Sequence, residues 1–216
     1  MRYLLSILFA LCLIGVPKTR GDDGVIQCAN LIYAGTKTSR CFSDQFLTTM
    51  QQKTAIPAER RFRSVKLSSD ELFDYPFVMM TGESSFFLST KERENLQRYL
   101  ENGGFLLASA GCSNKDWSRS FRAEMKKMFN KEALEEIPME HPLFRTVYTI
   151  DKLELSKSSG EASLEGIEID GKLVVVYSEE GLNDTSNRAG CCCCGGNEIK
   201  NAMEVNVNIL SYALLY

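Results

Sequence analysis

A cysteine with a base in reach can act as a nucleophile, and this chain has eight cysteines but a single histidine. Cys112 is the best-placed thiol. It follows the apolar run Phe105 to Ala108 and precedes a helical segment, so its sulfur falls at a strand-to-helix turn. A helix N-terminus at such a turn lowers a thiol pKa and favours the thiolate, the reactive form. Nucleophilic catalysis also needs a base, and His141 is the only imidazole. Glu83 completes the candidate set because it follows Thr81-Gly82 at the end of another apolar run, where open α/β sheets gather ligands. Together Cys112, His141 and Glu83 would serve a cysteine-dependent hydrolase or amidase. The alternative is a structural or disulfide-bonded Cys112, with His141 stiffening a loop in the context Glu140-His141-Pro142.

A second chemistry is suggested by the run Cys191 to Cys194. Cys191 and Cys194 have the C-x₂-C spacing of half a zinc site. No second C-x₂-C or H-x₃-H exists, so Cys112 and His141 would have to complete the tetrahedron. Disulfides from this loop to Cys28, Cys41 or Cys112 are the competing use, and adjacent cysteines rarely bridge to each other. The expectation is therefore no cofactor, with zinc at Cys191 and Cys194 as the alternative. Without Cys12, seven cysteines remain; the number is odd, so at least one thiol stays free or pairs with another chain.

The compartment follows from the amino terminus. Arg2 precedes an apolar stretch from Leu4 to Val16, and polar Lys18 to Asp23 follow. That length suits a signal peptide and is short for a membrane span. Residues 1 to about 21 are read as the signal peptide, with an uncleaved anchor as the alternative, and 22–216 as one exported, periplasmic or extracellular domain without a membrane span once the signal is removed. The net charge of −3 carries no basic excess, so nucleic acid is not an expected partner. Most of the 28 acidic residues, including Asp70, Glu71, Asp74 and Asp116, are read as solvated surface. Gly103-Gly104 precedes a strand instead of opening a helix and is no phosphate loop. Asn183-Asp184-Thr185 matches a glycosylation sequon.

The elements that must position these residues follow from periodicity. Val25 to Tyr33 and Arg63 to Leu67 read as strands, and Phe42 to Gln52 as a helix with Phe42, Phe46, Leu47 and Met50 on one face. Phe77 to Met80 is a buried strand. Ser89 and Glu92 have capping-box spacing at a helix start, and Gly103 suits its left-handed end. Trp117, Phe121, Met125 and Met128 form a helical stripe expected to be core. Thr146 to Ile150 reads as a strand. Leu164 to Tyr177 reads as a hairpin turning at Asp170-Gly171, its apolar far arm central in the sheet. Glu198 to Tyr216 closes the chain as a helix.

The ordered motifs YPFVMMTG, LENGGFLLASAGC, SFRAEMKKMF, IPMEHPLF, GKLVVVYS and NVNILSYAL resemble the bacterial "domain of unknown function 4159" family over about Val25 to Tyr216. The resemblance implies a three-layer α/β/α, flavodoxin-like fold akin to the class I glutamine amidotransferases: a mostly parallel sheet with a late β-hairpin. In amidotransferases a cysteine at the strand-to-helix elbow is the nucleophile, and Cys112 matches that position. Here Ser113-Asn114 follow it where the amidotransferase elbow has glycine, and the His-x-Glu near the chain end is absent. Family members often carry an acidic residue where Ser109 stands. The leading expectation is thus an exported, non-catalytic module binding a protein or small molecule. The alternatives are the Cys112 hydrolase and a zinc or redox role for the 191–194 loop.

Overall fold

Two strands of this chain are buried at every residue: β3 (Phe77–Gly82) and β4 (Phe105–Ala110). Strands of this kind must be covered on both faces, which forces a layered α/β arrangement. The computed structural model describes residues 24–38, 41–129, 134–185, 191 and 196–216. The expected signal peptide, with Cys12, and the cysteines at 192–194 lie outside the described residues.

β3 and β4 sit in a seven-stranded sheet with β1 (Cys28–Ile32), β2 (Arg63–Lys66), β5 (Glu135–Glu136), β6 (Glu165–Ile169) and β7 (Lys172–Ser178), in the order β2-β1-β3-β4-β7-β6-β5. The strands from β2 through β7 in that order run parallel, and β6 pairs antiparallel with both β7 and β5. From β1 the chain moves outward to β2, then crosses to β3 on the other side. This reversal is the topological switch point of a flavodoxin-like sheet.

Helices α1 (Gln45–Lys53) and α4 (Ala202–Leu215) cover one face, and α2 (Thr90–Glu101) and α3 (Lys115–Phe129) the other. Phe46, Leu47 and Met50 pack with Val205, Ile209 and Leu210 in the first core. The expected stripe on α3 is core: Trp117 and Phe121 stack at 5.4 Å, and Phe121 lies 4.8 Å from Tyr177. Each fully buried large side chain of this kind contributes about 1.5–3 kcal/mol.

Local signals explain most boundaries. Ser89 and Glu92 form the capping box of α2 from both directions. Asp170 and Gly171 both have positive φ (51° and 74°), the requirement of a type I′ turn, and they join β6 to β7. β7 lies between β4 and β6, as its apolar sequence predicts.

Thr146 to Ile150 is not a strand. Pro142 opens a short 3₁₀ turn (Pro142–Arg145) capped by His141, and the following residues have no sheet partner. The fully buried Asn208 of α4 replaces one. Its Oδ1 accepts from the N–H of Val147 (3.1 Å) and Tyr148 (2.8 Å), and its Nδ2 donates to the Tyr148 carbonyl at 2.9 Å. One side chain from a distant helix thus satisfies the backbone groups a ladder would have satisfied.

Candidate functional site

The carboxyl ends of β3, β4 and β7 carry a row of hydroxyls in register, Thr81 opposite Ser109 and Ser109 opposite Ser178. All three are fully buried. Buried hydroxyls need partners, and the segment after β7 supplies them. Asn183 Nδ2 donates to Thr81 Oγ1 at 3.1 Å, and Ser109 Oγ donates to Asn183 Oδ1. The N–H groups of Leu182 and Gly181 donate to Ser109 Oγ and Ser178 Oγ at 2.8 and 2.9 Å. The place where this sheet type gathers a ligand is filled here by the chain's own backbone and amide. Asn183, the sequon asparagine, is fully buried; its nitrogen is not accessible to glycosylation.

On the opposite face Tyr33 plays the equivalent part. Its hydroxyl donates to the Thr81 carbonyl at 2.9 Å and accepts from Trp117 Nε1 at 2.7 Å. Burial pushes its pKa up to about 12, partly offset by the Trp117 bond. The approach is close enough to demand glycine at position 82, where a Cβ would lie 2.3 Å from the Tyr33 oxygen.

Cys112 stands just beyond this row. β4 runs into a single turn (Gly111–Ser113) before α3, and Asn114 caps that helix by accepting from the Trp117 N–H at 2.9 Å. Cys112 has φ 55° and ψ 32°, and Ser113 has φ 53°. Left-handed backbone at a non-glycine residue costs about 1–2 kcal/mol and persists only where the surroundings impose it. The surroundings here are the residues on either side of the cysteine run. Ser113 Oγ donates to the Glu180 carbonyl at 2.6 Å and accepts from the Asn197 N–H at 2.8 Å, clipping both limbs of that loop to the elbow. A Cβ on Gly196 would lie 2.4–2.7 Å from Cys112 backbone atoms, so this limb rests directly on the turn.

The sulfur itself is engaged: Cys112 is disulfide-bonded. A second disulfide joins Cys41, just before α1, to Cys191, with Cα atoms 5.6 Å apart. Cys191 in this state offers no thiolate to a metal. Cys28 is the free cysteine among the described residues; it is buried, and burial pushes its thiol up to about 12.

Of the other expected site residues, Glu83 is at the elbow: a Cβ on Gly111 would lie 2.8 Å from its Cγ. His141 is not. Its ring lines a groove with Glu168 and Leu173, which face each other across β6 and β7. Ser178, not Leu173, lies beside the elbow strand at Ser109. The rise from Leu173 to Ser178 is roughly 16 Å at strand spacing. Cys112 and His141 therefore occupy opposite edges of the sheet. His141 Nδ1 accepts from the Leu143 N–H at 3.2 Å, and burial lowers its pKa against the opposing pull of Glu168.

The elbow does hold a carboxyl group that local sequence patterns do not reveal. Glu198 accepts from the Thr185 hydroxyl at 2.9 Å and lies close enough to the Cys112 backbone to feel its N–H dipole, while its Oε1 is buried without a hydrogen-bond partner. Burial raises its pKa; the bonds from Thr185 and the Cys112 N–H dipole oppose this, and the nearby Asp184 charge adds to it. Burial likewise raises Glu180. Glu179 is depressed, chiefly by its hydrogen bond to Lys115 at 2.7 Å, with a further bond from Arg122 at 2.9 Å. The arrangement can lend or take a proton through Glu198, but it places no imidazole beside the sulfur.

Among the described residues no helix is long and apolar enough to cross a membrane. The family described as "Domain of unknown function (DUF4159)" matches residues 27–214. No curated protein matches the sequence.

Proposed function

The chain belongs to the domain of unknown function (DUF4159) family, and from that premise we propose that it is an exported, non-catalytic binding module for a protein or small-molecule ligand. The observation that carries this reading is the elbow. Its cysteine is in a disulfide, and the only histidine lies across the sheet. A cysteine hydrolase needs a thiolate and a base in hydrogen-bond reach; a disulfide sulfur and a distant imidazole weigh against that chemistry. The Cys41–Cys191 bond and the disulfide at Cys112 support an oxidising compartment, in keeping with the apolar leader. The test is turnover of chromogenic amide and ester substrates by unreduced and reduced protein beside Cys112→Ser. Equal background rates are expected throughout; turnover abolished by Cys112→Ser would sink the proposal and favour the hydrolase.

A redox role for the cysteine loop is the second reading, favoured by Glu198. Attack by an external dithiol on the Cys112 disulfide would oxidise that dithiol to a disulfide and leave two protein thiols. The departing thiolate needs a proton, and Glu198, a carboxyl group beside the elbow whose pKa burial raises, is a suitable donor. This reading requires reduction by dithiothreitol near pH 7 to slow about tenfold or more in Glu198→Gln; an unchanged rate would remove it.

A further inference from the structure

The amino edge of the sheet carries a feature that the elbow does not use. Where β5 and β6 meet the start of β7, a groove with a cavity volume of about 480 Å³ is lined by Glu135, Glu136, His141 and Glu168 over the apolar Ile137 and Leu173. No lysine or arginine lines it among the described residues. Among the described residues none of its three glutamates pairs with a cation, whereas Glu59, Glu124, Glu154, Glu165 and Glu179 each do. Carboxylates gathered over an apolar floor favour a long side chain that lays down methylenes and ends in a positive charge.

An aromatic tier continues the groove outward. The His141 ring lies 5.2 Å from Tyr212, and Tyr212 stacks on Tyr216 at 4.8 Å and 14°. Tyr212 also lies beside the Leu173 backbone and feels the Glu168 charge, which ties the tier to the groove wall. Tyr216 and its neighbour Leu215 are 64% and 60% exposed, two of the three large apolar side chains left in solvent among the described residues. Aromatic faces beside carboxylates attract a guanidinium by both stacking and charge.

We propose that this groove binds an arginine- or lysine-bearing extended segment of a partner protein. A peptide fits better than a free polyamine for two reasons. The apolar surface of Leu215 and Tyr216 calls for more cover than an amine supplies. The groove is also bordered by β5, the outermost strand in the sheet order, whose outer backbone edge suits an extended chain. The proposal rests on the binding-module reading and gives that module a ligand class and a surface.

The test is fluorescence anisotropy with a short labelled peptide of alternating arginine and glycine, the same peptide with citrulline for arginine, and spermine as competitor. The arginine peptide should bind full-length mature protein. Its affinity should fall about tenfold with Glu135→Gln and Glu168→Gln combined and stay unchanged with Glu94→Gln, an exposed glutamate on α2. Thermal melts identify any variant that fails to fold, and Tyr216→Ala, at an exposed position, provides a second variant that should weaken the arginine peptide. Equal binding of the citrulline peptide, no binding of either, or unaltered affinity in the groove variants overturns the proposal. Spermine displacing the peptide as well as unlabelled peptide does overturns the choice of a protein partner. These failures leave the inert elbow standing, whereas turnover lost in Cys112→Ser would fell the binding-module reading and leave the groove result intact.

Discussion

Replacing Asn183 with alanine tests how tightly the post-β7 segment is held over the elbow. The amide makes two side-chain bonds inside the sheet edge, one to Thr81 Oγ1 at 3.1 Å and one from Ser109 Oγ. The backbone bonds remain, Leu182 N–H to Ser109 Oγ and Ser43 N–H to the Asn183 carbonyl, both at 2.8 Å. The loss is therefore confined to the amide. Each lost bond is worth about 1 kcal/mol, and a hydroxyl left unsatisfied in the interior adds about 1–3 kcal/mol. Thr81 and Ser109 are both fully buried, but a hydroxyl rotates and recovers part of its bonding. The total comes to about 2–4 kcal/mol. For a domain of this size that lowers Tm by about 5–15 °C, read by circular dichroism in non-reducing buffer. Hydrogen exchange at the Leu182 amide should accelerate more than at core amides of β3. A Tm within about 2 °C of wild type, with Leu182 still protected, would refute the claim that this amide locks the segment down.

Three further outcomes follow from other parts of the structure. Cys41→Ala opens a loop with a sequence separation of 150 and should cost about 3–5 kcal/mol by urea denaturation, a difference that vanishes when both proteins are reduced. Gly82→Ala places a methyl against Tyr33 and Trp117 and should cost about 1–3 kcal/mol or more, with a changed near-ultraviolet signal from the single tryptophan; a silent variant would mean the contact is looser than described. Glu198 has a raised folded-state pKa, so its contribution is fully present below the unfolded value near 4.5 and is lost as pH rises through the folded value. The stability of Glu198→Gln relative to wild type should therefore rise with pH above about 4.5 and level off; a pH-independent difference in urea titrations would contradict the burial of that carboxyl.

The frame of this protein was legible because its signals are local. The Ser89–Glu92 box, Gly103 and the Asp170-Gly171 turn act within a few residues, and each does in the structure what its chemistry predicts. The errors come from distance. Thr146 to Ile150 has strand-like residues, but Asn208, far along the chain, takes its backbone groups. Cys112 was recognisable as an elbow from the apolar run before it. Its surroundings were not, since nothing near Asn183 or Glu198 announces that they close over residues 109–113. The gap between Cys112 and His141 emerges only from the register of β6 on β7 and β7 on β4.

On the proposed reading the elbow sulfur is held in a disulfide and does not act as a nucleophile. A peptide map of mature protein, alkylated under native, unreduced conditions and digested without reduction, addresses it directly. Cys112 should appear in a disulfide-linked peptide without alkylation, Cys41 linked to Cys191, and the buried Cys28 unlabelled until unfolding. Rapid alkylation of Cys112 in the native protein, blocked by a small molecule, would contradict it.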